Sequence, residues 1–334
     1  MIERLYFSLY RFTFRPNFAI RFFGQWKGSV LRGAFGSSLR RLACLNRDQE
    51  TCDACSMQER CAYTLIFNPI DAGKIKRLKN LPRGFVIKPP LDGATEYTSA
   101  TPLRFEMVLV GDRIRGLPYV IVPFKELGRF GIGLNRGRFS LDGIEVLRGG
   151  RYDSIYDPET NVVSNFEAQI RGEDLLKRSE KFRGDRLTLR FLTPTRVRYN
   201  PTGRKGESRL VRDPEFHHLV RRLRDRINAL SVSYCGGPLE VDFSGLAERA
   251  TKVMKVHSNL EWVGMRRRSR TQETYHDQSG FIGEMTFEGD LEEFLPLLLA
   301  GEYLHVGEDA VFGNGWYEIG EQITSRFLQT PRSF

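Results

Sequence analysis

The feature that most constrains this chain is that it repeats its own plan. The first half opens on a strand-like run, Leu5-Tyr6-Phe7-Ser8-Leu9-Tyr10-Arg11-Phe12, and the second on Leu187-Thr188-Leu189-Arg190-Phe191-Leu192. A helical spacing follows each run after a loop. In the first half it spans Val30–Leu42, with Leu31, Ala34, Phe35, Leu39 and Leu42 on one side. In the second it spans Pro214–Leu230, where Phe216, Leu219, Val220, Leu223, Ile227 and Leu230 form one stripe. Asp213 is predicted as the N-cap of that helix and Pro214 as its first residue.

Strand-like segments come next: Leu103–Val110 in the first half, Asn259–Arg266 and Phe281–Phe287 in the second. A second apolar helix follows in each half, Pro118–Leu127 and Leu291–Tyr303, with Asp290 as the cap of the latter. Pro123 and Pro296 are expected to kink or shorten them. Each half then closes on a glycine-rich turn and a last strand. The turns are Phe130-Gly131-Ile132-Gly133 and Phe312-Gly313-Asn314-Gly315; the strands are Arg138–Leu141 and Trp316–Ile319. The order βαββαβ, twice, predicts an α+β fold of tandem ferredoxin-like (RRM-like) domains with a cysteine-rich insertion in the first. The domains are placed at 1–160, with the Cys cluster at 44–61, and at 183–325; the polar stretch 150–182 holds the join.

Charge narrows the partner. The chain has 51 Lys and Arg against 41 acids, a net charge of +10. The excess is concentrated: residues 183–226 hold 13 Arg/Lys and 5 Asp/Glu, and Arg266-Arg267-Arg268-Ser269-Arg270 forms a second cluster. Arginines in such density suit phosphate, which they grip by two prongs, and unpaired bases, on which they stack. A solvated helix face beside an ordinary loop is the plainer reading. There is no run of 18 apolar residues to cross a membrane, and the first residues are too mixed for a signal peptide, so a cytoplasmic protein without a membrane partner is expected. No P-loop or dinucleotide fingerprint stands between a strand and a helix.

Four of the five cysteines, Cys44, Cys52, Cys55 and Cys61, fall in the pattern C-x7-C-x2-C-x5-C. In a reducing compartment disulfides are not expected. Four thiolates could complete a tetrahedron around a structural zinc; an iron–sulfur cluster is the lesser option, and four reduced thiols without metal the plain one. With every position filled by sulfur, such a metal would have no catalytic part. Cys235 reads as a lone buried thiol.

The run Leu304-His305-Val306-Gly307-Glu308-Asp309-Ala310-Val311-Phe312-Gly313-Asn314-Gly315-Trp316-Tyr317 resembles the glycine-rich signature of the RAMP superfamily of CRISPR systems, in its repeat-processing endoribonuclease branch. Three further stretches fit that branch: Leu31-Arg32-Gly33-Ala34-Phe35-Gly36 ahead of the cysteines and Tyr63, Phe191-Leu192-Thr193-Pro194-Thr195, and Arg268-Ser269-Arg270 through Gly280-Phe281-Ile282-Gly283. The resemblance implies selective binding of CRISPR repeat RNA. It also implies metal-independent cleavage by the ribose 2′-hydroxyl with a 2′,3′-cyclic phosphate product, and delivery of the guide to other CRISPR effector subunits.

Such chemistry needs a base, an acid and cations for the developing phosphorane charge. Many members of that family carry a catalytic histidine near the first helix, but here no histidine precedes His217, so that site does not carry over. His305, two residues before the glycine-rich turn, is the first catalytic candidate, against the plain reading of a backbone-bonded histidine at a helix end. His257 with Lys252 is the second, against a surface strand. His217 and His218 read as packing or solvent residues, and His276 as a loop residue. For RNA binding the candidates are Arg266, Arg267, Arg268 and Arg270, then Arg196, Arg198, Arg204 and Lys205. Gly307, Gly313 and Gly315 join them, since amides without a neighbouring Cβ could face phosphate; a tight helix-to-strand turn is the other reading of these glycines. Trp262 and Tyr199 are stacking candidates. Three functions stay open: the nuclease, a non-catalytic RAMP subunit that holds guide RNA in an effector complex, and a zinc-containing nucleic-acid-binding regulator.

Overall fold

The computed structural model describes residues 1–46, 52, 55–69, 81–268 and 275–320. Strand β1 (Tyr6–Pro16) is buried on both faces for most of its length, which its run of aromatic and aliphatic residues allows. Tyr10, Phe12 and Phe14 turn to one side, toward α1 (Gly28–Ala43) and α2 (Pro118–Phe130). There Phe12 and Phe35 both close on Phe124, with ring centroids 5.2 and 5.1 Å apart. With β2 (Phe85–Lys88), β3 (Leu103–Val110), β4 (Phe139–Arg148) and β5 (Arg151–Ser154) it makes an antiparallel sheet in the order β2-β3-β1-β4-β5.

The second half contains α3 (Gly172–Ser179), β6 (Arg186–Thr195), α4 (Phe216–Tyr234), β7 (Met254–Val263) and the small hairpin of β8 (Arg266–Arg268) and β9 (Tyr275–Asp277). β10 (Gly280–Glu288), α5 (Leu295–Leu304) and β11 (Tyr317–Gly320) follow. Its main sheet is antiparallel in the order β7-β10-β6-β11. In both sheets the half's opening strand lies between its third and its last main strand, so the repetition read from the sequence extends to strand order.

The core of the second half is shared with the first. Phe7 and Leu9, on the other face of β1, join Val86, Val108 and Val110 in one apolar cluster with Leu219, Leu223, Leu297 and Leu304 of the second half. Phe7 meets Tyr303 at 5.0 Å. The polar stretch 150–182 is part of this joint. Ile170–Arg171 pairs with the start of β1, Leu175 of α3 enters the shared core, and the hydroxyls of Ser8 and Tyr10 donate to the carbonyls of Ala168 and Phe166.

Three local expectations shift. α4 starts at Phe216 with Glu215 as its cap, because Asp213 is drawn away to Lys255 (2.9 Å) and the Ser258 hydroxyl (2.8 Å). α5 starts at Leu295 after a short 3-10 turn, so Asp290 caps nothing there, and Pro296 occupies the first turn, where its missing N–H costs little. Pro123 sits inside α2, which runs on to Phe130.

Candidate nucleic-acid interface

The glycine-rich turn runs from the end of α5 to β11 and is wedged against the first half. Glycine is required here by closeness and by backbone shape. A Cβ on Gly28, at the start of α1, would lie 1.7 Å from the Phe312 carbonyl oxygen. One on Gly315 (φ +72°) would lie 1.8 Å from that of Val306. The amides are spent on main chain: Gly313 donates to Ala310 and Gly315 to Pro194. Gly313 and Gly315 are buried, and a Cβ on Gly307 would meet the Arg196 carbonyl at 2.3 Å. These glycines therefore build a tight joint, and for Gly313 and Gly315 the expected phosphate-facing amides are corrected on that ground. Nearby, the Ser29 hydroxyl of α1 donates to the buried Gln278 side chain (2.7 Å), a second tie across the halves.

His305 belongs to the same joint. It is fully buried, in a left-handed backbone conformation (φ 64°), and its Nδ1 lies 3.1 Å from the Asn314 carbonyl oxygen. That carbonyl only accepts, so Nδ1 carries the proton. Nε2 is buried without a hydrogen-bond partner among the described residues. Burial, then the charges of Lys88 and Arg226, push the imidazole pKa well down. A ring closed off from solvent cannot reach a ribose hydroxyl, so the expectation that His305 is the catalytic base is corrected in favour of the backbone-bonded histidine. His257 is exposed on β7, an edge strand, and Lys252 is exposed in the turn before it.

The arginine candidates divide. Arg196 is 9% exposed and held by Asp277 and Glu308, each at 3.0 Å, with a further bond to the Ser279 carbonyl. Two carboxylates neutralise it, so it locks the turn rather than meeting phosphate. Arg198 shares Glu308 at 3.2 Å. Beyond them Val197–Tyr199 and Arg209–Val211 form a projecting hairpin, and its loop carries Arg204 and Lys205 in the open, with Arg209 beside them. Arg212 lies over the half-buried Trp262, 4.7 Å from the ring centre. Arg266 is exposed on β8; Arg267 and Arg268 pair by backbone with His276 and Tyr275, and Arg270 lies outside the described residues.

Two features were missed in the sequence. One is the junction of the halves: Lys88 is almost wholly buried, 4.1 Å from the Trp316 ring centre and 3.3 Å from the Glu302 carbonyl. It lies beside a cleft of about 460 Å³ whose lining includes Arg11, Arg104, Tyr152 and Tyr303. The other is the meeting of Tyr199 with His217 and His218 at the hairpin root. The adjacent histidines were visible, but nothing local says that the hairpin folds Tyr199 back onto them.

The cysteines gather by the end of α1. Cys44 donates its N–H to Arg40, Cys55 bonds by backbone to Cys52, and Cys61 precedes the short helix Ala62–Ile66. All four are half-buried, and the Cys52 thiol is pushed up by burial and further by Cys44 and Cys61. Among the described residues no three His, Cys, Asp or Glu side chains stand ready-made around a metal position. No helix of the described residues is long and apolar enough to cross a membrane.

Residues 189–317 match the family model of the CRISPR-associated endoribonuclease Cas6, and residues 5–168 match one described as an N-terminal domain. A Cas6 product complex is similar over 94% of this chain and 99% of its own, with a TM-score of 0.55 at 17% identity. Thermus thermophilus Cas6 is similar over 94% and 98%, with a TM-score of 0.52 at 15% identity. A partial Cas6-RT-Cas1–Cas2 complex is similar over 98% of this chain and 48% of that one, with a TM-score of 0.59 at 11% identity. At such identities these likenesses are of fold. No curated protein matches the chain in sequence. The resemblance to the repeat-processing endoribonucleases is borne out by the family match and by the fold.

Proposed function

We propose that this chain, with a Cas6 endoribonuclease match over residues 189–317 on a Cas6-like fold, cuts CRISPR repeat RNA into guide RNAs. That match is the observation that carries the reading. The strand order of each half supports describing them as two ferredoxin-like units. The open hairpin loop with Arg204, Lys205 and Arg209 supplies cations for a phosphate backbone, and Trp262 under Arg212 a ring near it. Cleavage runs by attack of the ribose 2′-oxygen on the adjacent phosphorus, leaving a 2′,3′-cyclic phosphate and a free 5′-hydroxyl, with no metal in any step.

The test is end-labelled repeat RNA from a CRISPR array of the source genome, incubated with the protein in EDTA, beside a substrate with 2′-deoxyribose at the cut. One cut, lost in the deoxy substrate, is expected. A second reading, a guide-holding subunit, draws support from the lack of any histidine before His217; tight binding without cutting would select it. A structural zinc on Cys44, Cys52, Cys55 and Cys61 is proposed alongside, on the donor chemistry of four neighbouring thiols, which binding would have to draw together. One zinc per chain by elemental analysis is expected, and less than a tenth of that in a Cys52→Ser/Cys55→Ser double variant.

A further inference from the structure

The root of the arginine hairpin holds side chains that the glycine-rich turn and the family match leave unexplained. The Tyr199 ring lies 4.4 Å from His218 and 5.5 Å from His217, and the two imidazoles are 4.0 Å apart. Arg221, one helical turn along α4, brings its guanidinium to 5.8 Å from the Tyr199 ring centre. All four side chains are half-buried, so each keeps a face to solvent.

Their bonding differs in a telling way. His218 Nδ1 accepts the Glu215 backbone N–H at 2.9 Å, which puts its proton on Nε2 and fixes the ring. The His217 ring nitrogens have no hydrogen bond among the described residues, and Arg221 has no ion pair there, its Nε being buried and unpartnered. An imidazole and a guanidinium left open, beside a phenol and at the base of a cationic hairpin, are the parts that phosphodiester transesterification needs. Of the other histidines, His305 is sealed in the joint and His257 lies on an edge strand.

We propose that His217, Tyr199 and Arg221 form the acid–base centre of RNA cleavage, with His218 as a positioning residue; this rests on the nuclease reading above. His217 takes the proton from the ribose 2′-hydroxyl as the O2′–P bond forms. The P–O5′ bond breaks, and the Tyr199 phenol gives its proton to the departing 5′-oxygen. Arg221 balances the charge on the phosphorane. The proton on His217 then passes through water to the Tyr199 phenolate, which resets both groups. Burial, then Arg221, keep the His217 pKa below its ordinary 6.5, with Glu215 opposing, so the base is neutral at neutral pH. The charged groups around the pair are Glu215 and Arg221 on the helix and, from β7, Lys255, which is itself paired with Asp213 and Glu215.

The experiment is single-turnover cleavage of repeat RNA by the full chain, with affinity measured separately on the 2′-deoxy substrate. His217→Ala should cut at least about 100-fold more slowly while affinity changes less than about threefold. Its rate should partly return with free imidazole, and the acid limb of the pH–rate profile should vanish. Tyr199→Phe should also slow cutting. His217→Gln, which keeps the volume, guards against a folding defect in the alanine variant. If the unaltered chain cuts and both His217 variants cut at its rate, or lose binding and cutting together without imidazole rescue, the proposal falls alone. If the unaltered chain does not cut, the proposal and the nuclease reading fall together.

Discussion

The glycine-rich turn and the arginine hairpin both meet the end of β6, yet they are opposite in character. In the turn, Gly313 and Gly315 are buried, their amides are bonded to main chain, and Arg196 is closed by two carboxylates. In the hairpin, Arg204, Lys205 and Arg209 stand in solvent. Either segment, read as letters, is glycine and charge around a turn. The difference is whether its polar groups are already used: a spent amide offers a phosphate nothing, and burying it removes even the possibility of exchange.

The largest effect that would sharpen this contrast is Gly315→Ala. The left-handed backbone and the Val306 carbonyl 1.8 Å from the new Cβ leave no room, so a loss of roughly 3 kcal/mol is expected in urea or thermal unfolding. Lys205→Ala, in the open loop, should stay within about 0.5 kcal/mol of the parent. A stable Gly315→Ala protein with selectively weakened RNA binding would break the comparison, because it would mean that the turn faces RNA after all.

Next in size is the hairpin's share of binding. Neutralising Arg204, Lys205 and Arg209 together should leave the melting temperature alone and weaken RNA binding. The plot of log affinity against log salt should flatten by about 2, since each contact with a single-stranded phosphate contributes roughly 0.7. An unchanged slope would place the RNA elsewhere, and the cleft beside Lys88 would be the next surface to alter.

The sequence revealed what depends on local pattern. The stripe Phe216, Leu219, Val220, Leu223, Ile227 and Leu230 is the buried face of α4, and the strand at 103–110 has the bounds read from its apolar run, alternating over its first half and buried on both faces over its second. It could not show which carboxylate would claim a residue. Asp213 caps helices well in isolation, but Lys255 and Ser258, more than 40 residues away, take it. The same holds for the site. His305 beside a glycine-rich turn invites a catalytic reading, and only the packing of Trp316 and Lys88 around it shows the ring to be sealed. Tyr199 meets His217 through a hairpin closure that no helical or strand period encodes.

The most gradual expected effect, smallest over any one pH unit, separates the two regions by pH. His305 and His218 both have folded-state pKa values below the ordinary 6.5, His305 well below through burial, and His218 down to about 4 through burial and then His217. A depressed histidine favours the folded state while neutral. The stability it contributes is therefore complete above pH 6.5 and is lost as pH falls from there toward the folded value, because the unfolded chain takes up the proton first. The melting temperature should be flat above pH 6.5 and decline toward pH 4. The slope from His305 should approach about 1.4 kcal/mol per pH unit, and His218, being half exposed, should add less. His305→Asn keeps an N–H donor for the Asn314 carbonyl and tolerates the left-handed backbone, so it should remove most of that slope while leaving cutting at neutral pH in place. If instead it abolishes cutting without moving the slope, the sealed histidine opens during catalysis, and the contrast between a closed joint and an open hairpin fails at its centre.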